Sequence, residues 1–269
     1  MKGVVSTVMG VVALAVGVLA DAPASGQGGA PASTPWTGPR TPDGQPDVQG
    51  LWDAAGVGIE TLQNIEDGAD PVHSTINGQK VLPADVIVDP PSKKIPYQPW
   101  AAAQRQKHYD ARYTGDPNIR DPVYYCRMMG VPRVNYQGSV RILQVPGYIV
   151  LTLDSYHIAR IVPLDNRPRL AENVKLWMGE SRGRWERSTL VIDVRNQNGK
   201  FWFDWAGNFA SEGIHVVERW TFTDGQTARY EATIEDPKMY TQPWKMAMTF
   251  RKQEYQEPWE EACWEGQLH

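Results

Sequence analysis

The chain has 269 residues, of which 22% are charged, and its formal net charge at pH 7 is −4. A chain with this net charge has no overall positive potential. We therefore do not expect charge to attract it to nucleic acid or to anionic membranes. Without its N-terminal segments about 220 residues remain, a size that β-sandwiches and β-barrels routinely reach as one domain.

The N-terminus has the pattern of a secretory signal peptide over residues 1–26. Lys2 supplies the positive start, residues 4–20 are apolar and uncharged, and small residues follow at Ala24-Ser25-Gly26. A retained single-pass anchor is the alternative, because the apolar run approaches the lower length limit for crossing a bilayer. We expect the segment to be removed and the protein to be periplasmic or secreted, with no stable membrane insertion afterwards.

Two segments with little regular structure are predicted next. Residues 27–46 are rich in Ala, Gly and Pro and should form a flexible leader, since they offer too little apolar surface to offset the entropy of ordering. Residues 47–269 should form one β-barrel domain whose first part is an irregular, proline-rich wrap. One helix is predicted there, from Pro99 to about Tyr113, because an early proline precedes a run of good helix formers.

After Pro132 the apolar residues recur with a period of two, which indicates strands separated by tight turns. No helical crossover separates them, which excludes a parallel α/β sheet and favours a mainly β fold, an antiparallel meander closed into a barrel or nearly so. Ten strands are predicted: Val140–Val145, Tyr148–Leu153, His157–Pro163, Val174–Met178, Gly183–Arg187, Leu190–Arg195, Phe201–Asp204, His215–Thr223, Thr227–Glu235 and Trp244–Lys252.

The strand that begins at His215 differs from its neighbours because each of its faces carries ionisable groups. Alternation places Glu218 on one face and His215 with Arg219 on the other, among apolar residues. Charges on a strand that otherwise resembles core need partners, and a pocket is one place to find them. Structural ion pairs of Glu218 and Arg219 at a barrel rim are the alternative.

Two cysteines, Cys126 and Cys263, lie far apart in the sequence. In an exported protein the simplest expectation is that they pair, which would close a long loop and contribute about 4 to 5 kcal/mol by chain entropy. Two separate free thiols are the alternative. A catalytic cysteine is disfavoured, because neither residue has a histidine near it in sequence.

The order of motifs resembles a large family of uncharacterised exported bacterial proteins. The resemblance covers nearly all the mature chain and implies export and a lipocalin-like β-barrel, with no activity assigned. The chain departs from the family pattern at Trp264, where a histidine is common. The matching stretches are Pro42 to Trp52, Cys126 with Gly130-Val131-Pro132-Arg133, Ile161 to Pro168, Leu176 to Trp185, His215 to Trp220, Asp236 to Trp244 and Ala262 to Gly266.

The sequence lacks the common cofactor and nucleophile signatures. It has no phosphate-binding glycine loop, dinucleotide fingerprint, nucleophile elbow or paired metal-binding histidines. Its five histidines are scattered, so neither a metal nor a cofactor is expected.

Acid–base chemistry remains as the predicted activity. A histidine near its neutral pKa can transfer a proton, while a tyrosine or arginine stabilises an oxyanion. For each histidine a purely structural role is the alternative. The candidate catalytic residues are His215, His157, Glu218, Asp154, Tyr240 and Arg219.

Several aromatic rings and one arginine are predicted to contact a ligand. Aromatic walls favour flat or sugar-like molecules, and an arginine can orient a carboxylate. Ordinary core packing is the alternative for the rings, and the surface is the default for the arginine. The candidates are Trp177, Trp185, Trp220, Trp244 and Arg160.

Two functional classes follow from these candidates. The first is an exported, cofactor-independent lyase, hydratase or isomerase that acts on a small aromatic, terpenoid-like or modified-sugar molecule in a barrel pocket. The second is a non-catalytic, lipocalin-like protein that binds such a molecule. A structural envelope protein is a third, weaker idea. Ionisable groups inside the barrel would favour the enzyme, and a purely apolar interior would favour the carrier.

Overall fold

A computed structural model of the chain describes residues 36–54, 86–112, 114, 116, 119–153, 158–254 and 263, and the backbone of residues 75–76 and 79–80. The predicted signal peptide lies outside the described residues, and so do Asp154 and His157. Within the described ranges, no helix reaches the length and apolar character that a membrane span requires.

Ten antiparallel strands form one sheet that curves into a nearly closed barrel. The strands of this sheet are β1 (Gly50–Ala54), β4 (Ile87–Asp89), β5 (Val140–Val145), β6 (Tyr148–Leu153), β7 (Ala159–Pro163), β8 (Glu180–Glu186), β9 (Thr189–Arg195), β10 (His215–Phe222), β11 (Thr227–Glu235) and β12 (Trp244–Lys252). A separate hairpin joins β2 (Thr75–Ile76) and β3 (Gln79–Lys80).

The strand order is β7-β6-β5-β1-β12-β11-β10-β9-β8, and β4 pairs with the first part of β12. The two end strands approach each other closely at Gly183 of β8. A Cβ atom at that position would lie only 2.8 Å from side-chain atoms of Val162 and Leu164. The missing side chain therefore lets β7 and β8 meet, and the prediction of a mainly β, lipocalin-like meander barrel is confirmed.

The predicted helix is present as α1 (Pro99–Ala111), which begins at the expected proline. Two short 3₁₀ helices follow, Pro122–Tyr125 and Arg133–Asn135. The second of these helices ends at Asn135, whose side chain is completely buried and reaches the barrel interior.

Eight of the ten predicted strands belong to the sheet, and two do not. Segment 174–178 contributes only the bridge of Leu176 with Gln197, and segment 201–204 only the bridge of Trp202 with Phe209. Four consecutive buried residues occupy 201–204, so the segment has no solvent face and packs as a loop instead of a two-faced strand. The places in the sheet are taken by β1 and β4, which lie in the region predicted to be irregular.

The barrel interior is packed with large side chains. Trp220 lies 4.6 Å from Phe250 and 4.8 Å from Tyr230, ring centre to ring centre, and all three are fully buried. Along β11 the residues Ala228, Tyr230, Ala232 and Ile234 are fully buried and form the inner face of that strand.

Cys126 and Cys263 form a disulfide with a Cα–Cα distance of 5.6 Å, so the predicted pairing is confirmed. Disulfides form and persist in oxidising compartments. The bond joins the segment that precedes β5 to the segment that follows β12.

Candidate functional site

The two faces of β10 have different environments, as the alternation predicts. Glu218 points into the barrel and is fully buried, whereas His215 and Arg219 lie on the outer face and are partly exposed. Successive side chains of a strand point to opposite faces of the sheet, so His215 and Glu218, three positions apart, lie on opposite sides of it. The predicted grouping of these two residues as a catalytic pair is therefore not found.

His215 lies between two carboxylates on the outer face. Its Nε2 is 3.1 Å from Oδ2 of Asp193 on β9, and its Nδ1 is 3.2 Å from Oε2 of Glu235 on β11. Carboxylates only accept hydrogen bonds when ionised, so both contacts are satisfied when the imidazole carries two protons.

This geometry shifts the pKa values of both partners. The hydrogen bond to Asp193 raises the pKa of His215 against the opposing effect of partial burial, and the charge of Asp193 and the contact with Glu235 raise it further. Burial alone would raise the pKa of Asp193, but the hydrogen bond and charge of His215, with Arg169 and Arg195, outweigh it and lower the pKa to about 2. The imidazolium and the carboxylate therefore stabilise each other's charged form.

His215 and Asp193 line a surface groove of about 510 Å³, here called the His215 groove. Its other charged residues are Arg169, Glu172, Lys175, Arg195 and Glu212. The volume lies within the range of about 300–1,000 Å³ that is typical of small-molecule sites. The lining is mostly polar, which suits a ligand with several hydrogen-bonding or charged groups better than a flat hydrocarbon.

Inside the barrel, five residues form a second group, here called the interior cluster: Asn135, Arg160, Ser181, Glu218 and Tyr230. Nη2 of Arg160 donates to Oε2 of Glu218 at 2.5 Å and to Oγ of Ser181 at 3.2 Å. The hydroxyl of Tyr230 donates to Oε1 of Glu218 at 2.9 Å, and the amide nitrogen of Asn135 donates to the same oxygen. Both oxygens of Glu218 are thus occupied.

The interior cluster keeps Tyr230 in its neutral form. Burial raises the pKa of the Tyr230 hydroxyl well above its ordinary value, and the negative charge of Glu218 adds to this effect. Arg160, predicted as a ligand-orienting residue, pairs with Glu218 inside the barrel and connects β7 with Ser181 of β8. The five side chains therefore form one hydrogen-bonded group inside the barrel.

The other predicted catalytic residues do not join His215. Arg219 lies on the outer face and donates to Glu186 at 2.9 Å. Tyr240 is buried, and its hydroxyl donates to the carbonyl oxygen of Phe209 at 2.8 Å. His157 and Asp154 lie outside the described residues, so their predicted roles stay predictions.

The predicted aromatic wall divides into three parts. Trp220 and Trp244 are fully buried in the core, and Trp177 is partly buried against that core. Trp185 lines a cavity of about 290 Å³ together with Tyr148 and other residues. These rings therefore do not form one common wall.

The sequence did not predict which residues contact His215 in the groove or Glu218 in the interior cluster. Asp193 interrupts the otherwise apolar run of β9, and that interruption is the signal that marks it as a residue with a charged partner. Asn135 and Tyr230 gave no such signal, because neither side chain carries a charge that would require a partner.

Among the described residues, no group of three histidine, cysteine or carboxylate side chains is arranged to hold a metal ion. Comparison of the chain with protein-family models, curated proteins and solved structures finds no match in any of the three.

Proposed function

We propose that the protein is an exported, cofactor-independent enzyme that uses His215 as a general acid on a small polar molecule bound in the His215 groove. The observation that supports this proposal is the half-buried imidazole that Asp193 holds in a fixed orientation at the wall of a groove of about 510 Å³. A histidine with a carboxylate partner is a common arrangement for proton transfer.

The raised pKa of His215 favours the protonated form of the ring, so the proposal assigns it the role of proton donor. Glu235 is 47% exposed, so its side chain has room to swing away and leave Nδ1–H facing the substrate. Nδ1 then gives its proton to a substrate oxygen, and the neutral ring keeps its Nε2–H on Asp193. The cationic side chains of the groove stabilise negative charge on the substrate.

This chemistry fits a lyase, hydratase or isomerase. Of the predicted substrate classes, a modified sugar fits the groove best, because the lining is mostly polar and charged. Aromatic and terpenoid-like molecules would need apolar walls.

Ligand binding without catalysis is the second candidate. It is favoured by the occupation of both ring nitrogens of His215 by carboxylates. In that case His215 and its two carboxylate partners form part of the groove wall and take no part in proton transfer.

A substrate screen separates the two candidates. Wild type, His215→Gln and Asp193→Asn would be incubated with a panel of acidic sugars and glycosides, and substrate loss followed by mass spectrometry. We expect turnover by the wild type and a loss of about two to four orders of magnitude in His215→Gln. Glu231→Gln, on the outer face of β11 and paired with Arg229, is the matched control and should keep wild-type turnover.

The outcomes are distinct. Equal turnover by wild type and His215→Gln would remove His215 from the chemistry. Saturable binding by the wild type without product formation, weakened in His215→Gln, would support the carrier.

Export is part of the same proposal. The disulfide supports an oxidising compartment, and the N-terminal pattern and the resemblance to exported bacterial proteins suggest the periplasm or the medium. Cell fractionation of the full chain tests this, and finding the mature protein in the cytoplasm would contradict it.

A further inference from the structure

The cavity that Trp185 lines, here called the Trp185 cavity, has a volume of about 290 Å³. Its walls come from the segment 41–49, from the hairpin of β5 and β6, and from Leu164 and Trp185. The volume equals that of roughly ten molecules of liquid water and is close to the lower end of the range for small-molecule sites. Protein interiors contain few voids larger than one water molecule, so this space exceeds an ordinary packing defect.

The Trp185 cavity presents apolar surface to a ligand. The ring centre of Trp185 lies 6.1 Å from that of the fully buried Phe222, so the core supports the indole ring while the ring also lines the cavity. Val145, Ile149 and Leu164 add aliphatic walls. Val145 is 47% exposed, so a molecule can enter beside it from the solvent. Walls of this kind favour a flat ring system.

Hydrogen bonds hold the opposite wall in place. Oε1 of Gln144 accepts from the backbone nitrogen of Val48 at 2.7 Å, and its Nε2 donates to the carbonyl oxygen of Pro46 at 3.0 Å. The backbone nitrogen of Thr41 donates to the carbonyl oxygen of Gln45 at 2.9 Å and closes a turn. A wall that is already fixed reduces the entropy lost when a ligand binds.

The side-chain amide of Gln45 is available to a ligand. Gln45 lines the cavity and is partly exposed, and its amide makes no hydrogen bond with any of the described residues. A primary amide has two donor hydrogens and an acceptor oxygen, so it can bind a hydroxyl or a carbonyl group. The cavity therefore combines apolar walls with one hydrogen-bonding group that needs no rearrangement to reach a ligand.

The charges around the cavity favour an uncharged ligand. Asp43 is the one lining residue with a charged side chain among those that the structure describes. An anionic ligand would meet this carboxylate with no lining lysine or arginine to balance it. An aromatic cage for a cation is also missing from the described walls, because the guanidinium of Arg167 already lies 5.1 Å from the centre of the Tyr148 ring.

We propose that the Trp185 cavity binds an uncharged, flat molecule of one or two rings that carries a hydroxyl or carbonyl group. The rings lie against Trp185 and the aliphatic walls, and the polar group bonds to the amide of Gln45. The cavity shares no lining residue with the His215 groove and does not depend on the function proposed for that groove.

Equilibrium dialysis at neutral pH tests the proposal with three probes: 2-naphthol, naphthalene, which lacks the hydroxyl, and 2-naphthoate, which carries a negative charge. We expect saturable binding of 2-naphthol and about tenfold or more weaker binding of 2-naphthoate. Val145→Trp fills the cavity with a large ring and should weaken binding of 2-naphthol by about tenfold or more. Gln45→Met should weaken binding of 2-naphthol by about three- to tenfold and leave that of naphthalene unchanged.

Leu143→Trp is the matched control, because it adds the same ring to β5 at an exposed position outside the cavity lining, and it should keep the wild-type affinity. Circular dichroism verifies that each variant is folded. Absence of saturable binding of 2-naphthol, wild-type affinity in Val145→Trp, or equal affinities for 2-naphthol and 2-naphthoate would overturn the proposal. Gln45→Met tests the site independently of Val145→Trp, and wild-type affinity for 2-naphthol in this variant would also overturn it.

Discussion

At the scale of single residues, the pair of Arg160 and Glu218 dominates the barrel interior. Both side chains are almost completely buried, and Asn135, Ser181 and Tyr230 satisfy much of their remaining hydrogen-bonding capacity. A buried ion pair adds little net stability, but removing one partner leaves a charge without compensation. Replacing one residue of the pair should therefore destabilise the protein more than replacing both.

We expect Glu218→Leu to lower the free energy of unfolding by about 3–5 kcal/mol, because Arg160 is then left charged in the interior. The double variant Glu218→Leu/Arg160→Met should be more stable than Glu218→Leu alone. Urea unfolding of the variants measures both effects. Glu231→Gln removes an exposed pair with Arg229 and should cost at most about 1 kcal/mol. A double variant less stable than the single variant would contradict this account.

At the scale of the elements, charged side chains on the outer faces of β8 to β11 pair across neighbouring strands. His215 of β10 contacts Asp193 of β9 and Glu235 of β11, and Arg219 of β10 contacts Glu186 of β8. Cross-strand pairs of opposite charge stabilise a sheet modestly. Side chains along β10 alternate between the two faces, so the alternation that buries Glu218 also places His215 and Arg219, with their ion-pair partners, on the outer face.

The contacts of His215 with Asp193 and Glu235 predict how the free energy of unfolding depends on pH. The folded pKa of His215 is raised, so its contribution is fully present below the unfolded value of about 6.5 and is lost as pH rises through the folded pKa. Wild type should therefore lose stability relative to His215→Gln above about pH 6.5. Urea unfolding of both proteins between pH 5 and 9 measures this difference, and a difference independent of pH would exclude the raised pKa.

The sequence predicts those features of the fold and the site that depend on residues close together in the chain. Alternation alone gives the two faces of β10 and places His215 and Glu218 on opposite ones, although both were named as catalytic candidates. The partners do not, because the register that brings Asp193 to His215 is set by the pairing of β9 with β10. The strands β1 and β4 were not predicted, because both are short and pair with β12, which is distant in the sequence.

At the scale of the whole molecule, the disulfide spans most of the barrel. Cys126 precedes β5 and Cys263 follows β12, so the bond closes a chain segment that contains eight of the ten strands of the sheet. The sequence separation of 137 residues is long, and long loops restrict the unfolded chain most. The bond therefore acts on the stability of the whole barrel rather than on one local contact.

Reduction of the disulfide should lower Tm by about 5–15 °C, because chain entropy assigns a loop of this length about 5 kcal/mol and measured values are often smaller. Cys126→Ser should lower Tm by a similar amount, and reducing agent should have no further effect on Cys126→Ser/Cys263→Ser. Thermal scans with and without dithiothreitol measure these shifts. Two thiols titrated in the denatured, non-reduced wild type would show instead that the bond is not formed.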